Sequence, residues 1–280
     1  MTNAPAREQG ATTPYRRIIA GVILAIIGLG AVFYAYAFFA LIFIIGAGCL
    51  YELSRLCERK GQPLELTMAS VGFVAYIALA VAGTLHRYEG QLLAVIVLGT
   101  LGLGMYGTHS GYLARTGYTL LGVLYIGKLL SYFVAIRALP VVGFTYTIYV
   151  IVIIAVTDIA AMIIGTSLGR TPLTRLSPKK TIEGSMGALA MAVIVSVAVG
   201  RSPWLNIIWW QAVVIGTITS LAAQAGDLVE SALKRDARVK DAGGVIAGHG
   251  GLLDRFDSYL FGGIAFYGAL FLTGLLPFTE

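Results

Sequence analysis

Charge is scarce in this sequence. Only 12% of the 280 residues are Asp, Glu, Lys or Arg, against 58% hydrophobic, where a soluble domain carries about a quarter charged residues. That shortage excludes a water-soluble globule. Apolar runs of about 20 residues, each long enough to cross a bilayer, recur along the chain instead. Cysteine is nearly missing: Cys49 and Cys57 are the only two. Eight residues along one helix hold them about 12 Å apart, too far for a disulfide, so both read as packing residues. No second His or Cys accompanies His249, which makes a zinc site a poor reading and a loop-fixing hydrogen bond a better one. His86 and His109 read as interfacial surface residues. A cleavable leader is not expected either. The polar opening MTNAPAREQGATTPYRR runs into an apolar stretch too long for a signal h-region, and Arg16-Arg17 reads as a cytoplasmic anchor. Aspartate is absent until residue 158; all six (158, 227, 236, 241, 254 and 257) come after it or stand there.

The expected fold class is all-α: a polytopic integral membrane protein with about nine transmembrane helices, roughly at 18–34, 36–52, 66–85, 91–107, 118–137, 143–165, 184–200, 204–224 and 258–277. The uncharged run from Ile18 to Tyr51 is too long for one helix and is split into a hairpin broken near Gly28 and Gly30. With the N-terminus in the cytoplasm, sixteen of the twenty Lys and Arg fall on cytoplasmic segments. Arg87, Arg137 and Arg201 remain on the opposite face, and Lys128 lies within a span. This is the positive-inside bias, and it places the chain in the inner (plasma) membrane as a multi-pass protein. The net charge of +6 then faces anionic headgroups and cytoplasmic anions, not nucleic acid. Three regions follow: a cytoplasmic tail over 1–17, an N-terminal membrane scaffold of about five spans over 18–140, and a catalytic membrane region over 141–280. The last carries two cytoplasmic motif loops, 170–183 and 227–257.

The late aspartates mark where chemistry is concentrated. In TDIAAMIIGTSLGRTPLTRLSPKKTIEG, Asp158 sits inside an apolar span. A carboxylate there costs a few kcal/mol and is either functional or a buried hydrogen-bonding residue. Gly165 and Gly169 form a small-xxx-small pair, which more often means close helix packing than ligand contact. Ser177-Pro178 resembles an N-cap followed by proline at the first helical position. That puts Lys179 and Lys180 in the first turn, where cations oppose the helix dipole unless an anion occupies the site. Ordinary positive-inside lysines explain them equally well.

The second segment is QAGDLVESALKRDARVKDAGGVIAGHGGLLDRFDS. As a helix from Asp227, it puts Asp227, Ser231 and Lys234 on one face, and Glu230 pairs with Lys234 at i+4. Asp254 and Asp257 are i, i+3 neighbours leading into the last span. Lys234, Arg235, Arg238, Lys240 and Arg255 surround these carboxylates, and the AGHGG turn lies among them. Oxygen ligands among cations suit Mg²⁺ bridging to phosphate oxygens, and glycines let backbone amides approach phosphates.

The stretch SALKRDARVKDAGGVIAGHGGLLDRFD, with SPKKTIEG and QAGDLVES upstream, closely resembles the signature of the phosphatidate cytidylyltransferase (CDP-diacylglycerol synthase) family. These motifs cover 158–258, and YELSRLCERKG and YIGKLLSYFVAIR give weaker echoes. The sequence departs from the family pattern in having Ala247 where proline is usual, and Met162 and Ile182 where aromatics are usual.

The resemblance implies transfer of CMP from CTP to phosphatidate, a metal held by Asp227 and Asp254, and a further cation such as K⁺. Carried onto the motif positions, it implies catalytic roles for Asp227, Lys234, Arg235, Lys240, Asp241, His249, Asp254, Arg255 and Asp257. It implies substrate contacts at Asp158, Ser177, Lys179, Lys180, Thr181, Glu183, Ser231, Gly250 and Gly251. Membrane lipids are the surroundings, and a homodimer fits the exposed small-residue faces. A lipid or polyprenol kinase would use similar metal–phosphate chemistry. A cation-coupled transporter would use Asp158 and Lys128 but would not need the phosphate-like loop. A CDP-alcohol phosphotransferase would show a different spacing of aspartates, which is absent.

Overall fold

The structure, a computed structural model, describes residues 28–106, 111–174, 176–239, 243 and 251–276. The tail over 1–17 and most of the first expected span lie outside them. In lipid every backbone N–H and C=O must be satisfied within the protein, and long Leu-, Ile-, Val- and Ala-rich runs do this as helices. The described residues are accordingly helical throughout, apart from turns and one isolated bridge between Pro172 and Thr181.

A helical stretch over 28–33 (α1) precedes α2 (Ala35–Arg59), α3 (Leu66–Val81) and α4 (Leu85–Gly104). Next come α5 (Tyr112–Leu121), a π-helical segment (Gly122–Lys128) and α6 (Leu129–Ala138), which run on as one rod. The second part of the chain forms α7 (Gly143–Leu168), α8 (Ile182–Gly200), α9 (Trp209–Asp236) and α10 (Leu253–Leu272). Among the described residues, α2, the α5–α6 rod, α7, α8 and α9 are each long and apolar enough to cross a membrane.

Three expectations need correction. Gly28 and Gly30 are helical; the first run breaks instead at Tyr34, the extended N-cap of α2. Arg137 Nε donates to the Val32 carbonyl there at 2.9 Å, which satisfies a group freed by the break. The second span continues past residue 52 to Arg59, and the eighth begins at Trp209 and continues to Asp236. The first ten residues of the supposed 227–257 loop are therefore still helix. Lys128 lies within a span, as expected, and is paired there with Glu89 at 2.6 Å; Tyr132 OH donates to the same carboxylate at 2.9 Å. Cys49 and Cys57 are buried and unbridged, as expected.

Helices approach closely where side chains are small. A β-carbon on Gly127 would come within 2.9 Å of the Phe73 α-carbon, so the π segment lies directly on α3. Gly165 and Gly184 put α7 against α8 in the same way, since a β-carbon on Gly184 would meet the Ala161 carbonyl at 2.9 Å. Ser196 of α8 hydrogen-bonds both Tyr149 of α7 and the Ala212 carbonyl of α9 at 2.6 Å. The antiparallel pair α9 and α10 is tied at one end by Gln211 Nε2 donating to the Thr273 carbonyl at 2.8 Å. At the other end a β-carbon on Gly226 would lie 2.4 Å from the Asp257 carbonyl oxygen.

That contact is with backbone, so it cannot yield by a rotamer change. Gly226→Ala is expected to cost about 1–3 kcal/mol by overpacking. Its unfolding midpoint in detergent should fall by several degrees. Gly117→Ala in α5, with nothing within 4 Å, should hold or slightly raise the midpoint. Equal midpoints for the two variants would contradict the packing of α9 on α10.

Candidate active site

One cavity of about 460 Å³ opens where α7, α8, α9 and α10 end beside the 170–181 loop. From α7 come Asp158, Ala161, Met162 and Gly165, and the loop adds Leu173, Lys179, Lys180 and Thr181. Ser185 of α8 and Gln224 and Asp227 of α9 face it, and α10 supplies Asp254, Arg255, Asp257 and Ser258.

The loop reaches this position by a route the sequence reading did not expect. Ser177 is not an N-cap. It begins a turn in which the Lys180 N–H donates to the Ser177 carbonyl at 3.0 Å. Proline suits the second position of such a turn as well as it suits a helix start, so the dipeptide alone does not distinguish them. The strands of the turn pair briefly, with Leu173 N–H on the Lys180 carbonyl at 2.7 Å and Ile182 N–H on the Thr171 carbonyl at 2.9 Å. Thr181 caps α8, accepting the Gly184 N–H at 3.1 Å. Lys179 and Lys180 thus precede the helix and project from a tight hairpin. Glu183 fastens its other strand, its Oε2 accepting the N–H groups of Arg170 and Thr171 at 3.0 and 3.2 Å.

Four carboxylates share the cavity wall, and each has an identifiable restraint. Lys180 Nζ lies 2.5 Å from Asp227 Oδ2. Asp158 Oδ1 accepts from Ser258 Oγ at 3.0 Å. The Ser258 N–H donates to Asp257 Oδ1 at 2.7 Å. Asp254 Oδ1 is 2.5 Å from Lys234 Nζ, and its Oδ2 accepts the Gly251 N–H at 2.8 Å. Lys234 also lies 2.6 Å from Glu230, the expected i+4 pair, and the Glu230 side chain is only 1% exposed.

Asp227, Glu230 and Asp257 can each bring a carboxylate oxygen within 4.8 Å of the others. Hard cations hold oxygens at about 2.0–2.6 Å, so opposite ligands stand about 4–5 Å apart and one such ion fits this set. The sequence reading paired Asp227 with Asp254; the structure groups Asp227 with Glu230 and Asp257 and places Asp254 on Lys234.

Among the other expected residues, Arg255 is exposed and lines the cavity, whereas Arg235, Ser231, Ser177 and Glu183 do not line it. Lys240, Asp241, His249, Gly250 and Ala247 lie outside the described residues. Met162 forms part of the wall, and Ile182 does not. Asp236, 61% exposed, is ion-paired with Lys60 at the end of α2. That hydrogen bond raises the Lys60 ammonium above its usual range.

A family model described as the cytidylyltransferase family matches residues 15–273. The chain belongs to that family. It is 36% identical over 253 residues to the phosphatidate cytidylyltransferase of Bacillus subtilis (strain 168), covering 88% of this chain and 93% of the relative. The enzyme of that name from Synechocystis sp. is 31% identical over 298 residues, covering 94% and 98%. The Helicobacter pylori (strain J99) protein of that name is 30% identical over 258 residues, covering 91% of each chain.

Reading this family member's sequence alone missed four neighbours of the site. Glu230 was seen as a partner of Lys234 but not as part of the carboxylate group, although it stands one helical turn from Asp227. Ser185 donates to Gln224 across the inner wall, and Gln224 Nε2 donates to Ser220 Oγ at 3.3 Å; a hydroxyl and an amide inside spans are the only sequence signal of this pair. Glu52, 1% exposed, comes from α2, in the part read as scaffold.

Lys234 is the one cation between Glu230 and Asp254 among the described residues. Removing one partner from a buried ion pair costs about 3–5 kcal/mol. Lys234→Met should therefore lower the unfolding midpoint strongly. Asp236→Asn, which disturbs only an exposed pair, should leave it near the parent value. Similar midpoints for both variants would mean that Lys234 does not hold the two carboxylates together.

Proposed function

We propose that this chain transfers CMP from CTP to phosphatidate, giving CDP-diacylglycerol and pyrophosphate. The observation that carries the reading is the mixed lining of the cavity. Aspartates, Lys179, Lys180 and Arg255 line it together with Ala161, Met162 and Leu173. Such a site suits a charged nucleotide and a lipid headgroup that meet at a membrane surface. The names of the relatives support the same reaction.

In this reaction a phosphate oxygen of phosphatidate forms a bond to the α-phosphorus of CTP. The bond from that phosphorus to the α–β bridging oxygen breaks, and pyrophosphate leaves. The nucleophile is already anionic, so no side chain has to remove a proton. What the protein must supply is alignment and positive charge. Lys179 and Lys180 project from a fastened hairpin, and Arg255 lines the same cavity, which suits them to hold phosphate oxygens. Mg²⁺ bound by Asp227, Glu230 and Asp257 would add positive charge to favour departure of pyrophosphate.

The proposed setting is the inner membrane, with about nine spans, a cytoplasmic N-terminus and a homodimeric assembly. The positive-inside bias supports the orientation. The convergence of the 170–181 loop and the C-terminal part of α9 on one cavity supports assigning both to the same side.

In detergent micelles with CTP, phosphatidate and Mg²⁺, the expected products are CDP-diacylglycerol and pyrophosphate, with EDTA abolishing turnover. CTP carrying distinguishable labels on its α- and γ-phosphates separates this from a kinase: the α label must appear on the lipid. Transfer of the γ label alone would replace the reading with lipid phosphorylation. For orientation, cysteines at Thr174 and Ala237, on a background lacking Cys49 and Cys57, should react with an impermeant thiol reagent only in inverted vesicles. Labelling of either from outside intact cells would overturn the orientation.

A further inference from the structure

Helix α2 carries a socket for the start of α10. A β-carbon on Gly48 would lie 2.3 Å from Leu252 Cδ1, so the Leu252 side chain fills the space that glycine leaves. One turn along the same face, Glu52 Oε2 accepts the N–H of Leu253, the first residue of α10, at 2.8 Å. The glycines at 243 and 251 press on this carboxylate: a β-carbon on either would come within 2.4 and 2.5 Å of its two oxygens. Glu52 Oε1 is buried with no hydrogen-bond partner among the described residues. A carboxylate in that state is costly for a residue that only packs. Its location suggests why it is there. Gly251 is the residue whose N–H holds Asp254, so Glu52 stands directly behind the turn that aims Asp254 at Lys234. Its negative charge also suits the N-terminus of α10.

We infer that Glu52 is a positioning residue: it fixes the first turn of α10, and so sets where Asp254 and Asp257 stand relative to Lys234, Glu230 and Asp227. The inference rests on the cytidylyl-transfer reading for its effect on turnover, but its structural half does not.

The test compares the full-length parent with Glu52→Gln, which keeps an acceptor oxygen, and Glu52→Met, which keeps length without one. Amide hydrogen exchange is read over 251–257, and Mn²⁺ binding and turnover are measured on the same preparations. Exchange there should speed up at least about tenfold in Glu52→Met and less in Glu52→Gln. The Met variant should also need about tenfold more Mn²⁺ for half-saturation, with kcat reduced more than KM for CTP is changed. A purely packing role predicts unchanged exchange, Mn²⁺ affinity and kcat in Glu52→Met, because Met fills a similar volume. Unchanged exchange over 251–257 overturns the inference, whatever the chain catalyses. Faster exchange with unchanged Mn²⁺ binding and kcat reduces Glu52 to a structural role and also overturns it. If Glu52→Met does not fold, Glu52→Gln alone decides by the same readouts. A parent that fails to transfer CMP defeats the proposed reaction, and the exchange and Mn²⁺ arms still judge Glu52.

Discussion

The site depends on the crossing of α9 and α10 at Gly226. Only a glycine lets the Asp257 carbonyl come so near, and the residue that follows it is Asp227. Two carboxylates from different helices are thereby drawn into one group, with Glu230 one turn along α9. Two like charges within 4.8 Å of each other repel by at least about 3 kcal/mol at an effective dielectric constant near 20. Such a group does not persist without nearby cations. Lys180 and Lys234 provide them, one from a loop hairpin and one from α9 itself. The close crossing, the acidic group and the two lysines form one arrangement, and each part accounts for another.

The two parts of the chain are less separate than their aspartate content implies. Helix α10 packs against α9 but also lies on α2, where Gly48 and Glu52 receive Leu252 and Leu253. A second link, Lys60 with Asp236, joins the ends of α2 and α9. A region without aspartate thus still supports the acidic end of the molecule, through one glutamate and one lysine near the end of a single helix.

Much of the fold was legible in the sequence because lipid leaves the backbone few choices. Apolar runs of sufficient length become helices, and their approximate positions follow from hydropathy. The i+4 pairing of Glu230 with Lys234 and the packing use of Gly165 were also readable, since both depend on local helical geometry. Local ambiguity defeated other readings. Ser-Pro-Lys-Lys suits a turn as well as a helix start, and the choice was made by the pairing of Leu173 with Lys180, which no local pattern encodes. Gly28 and Gly30 look like a break but are tolerated in helix, whereas Tyr34, with no breaking signature, is where the chain turns. Glu52 was hidden for a different reason. Its partner is 201 residues away, and only the three-dimensional contact reveals that the first charge after a long uncharged run belongs to the site.

The wall formed by α7 has a further consequence. Met162 faces the cavity and is 62% exposed, and Ile159 and Ile163 beside it are 53% and 54% exposed on the same membrane-embedded helix. On the proposed reading, the two substrates arrive from two phases: a lipid by two-dimensional diffusion within the leaflet, a nucleotide by three-dimensional diffusion through water. The products separate the same way, one spreading into the bilayer and the other dissolving. The forward and the reverse encounter thus each require one molecule from the leaflet and one from the water. A cavity lined by both apolar and charged side chains can therefore exchange one molecule with the bilayer and one with water in either direction, and the equilibrium is left to the concentrations in the two phases.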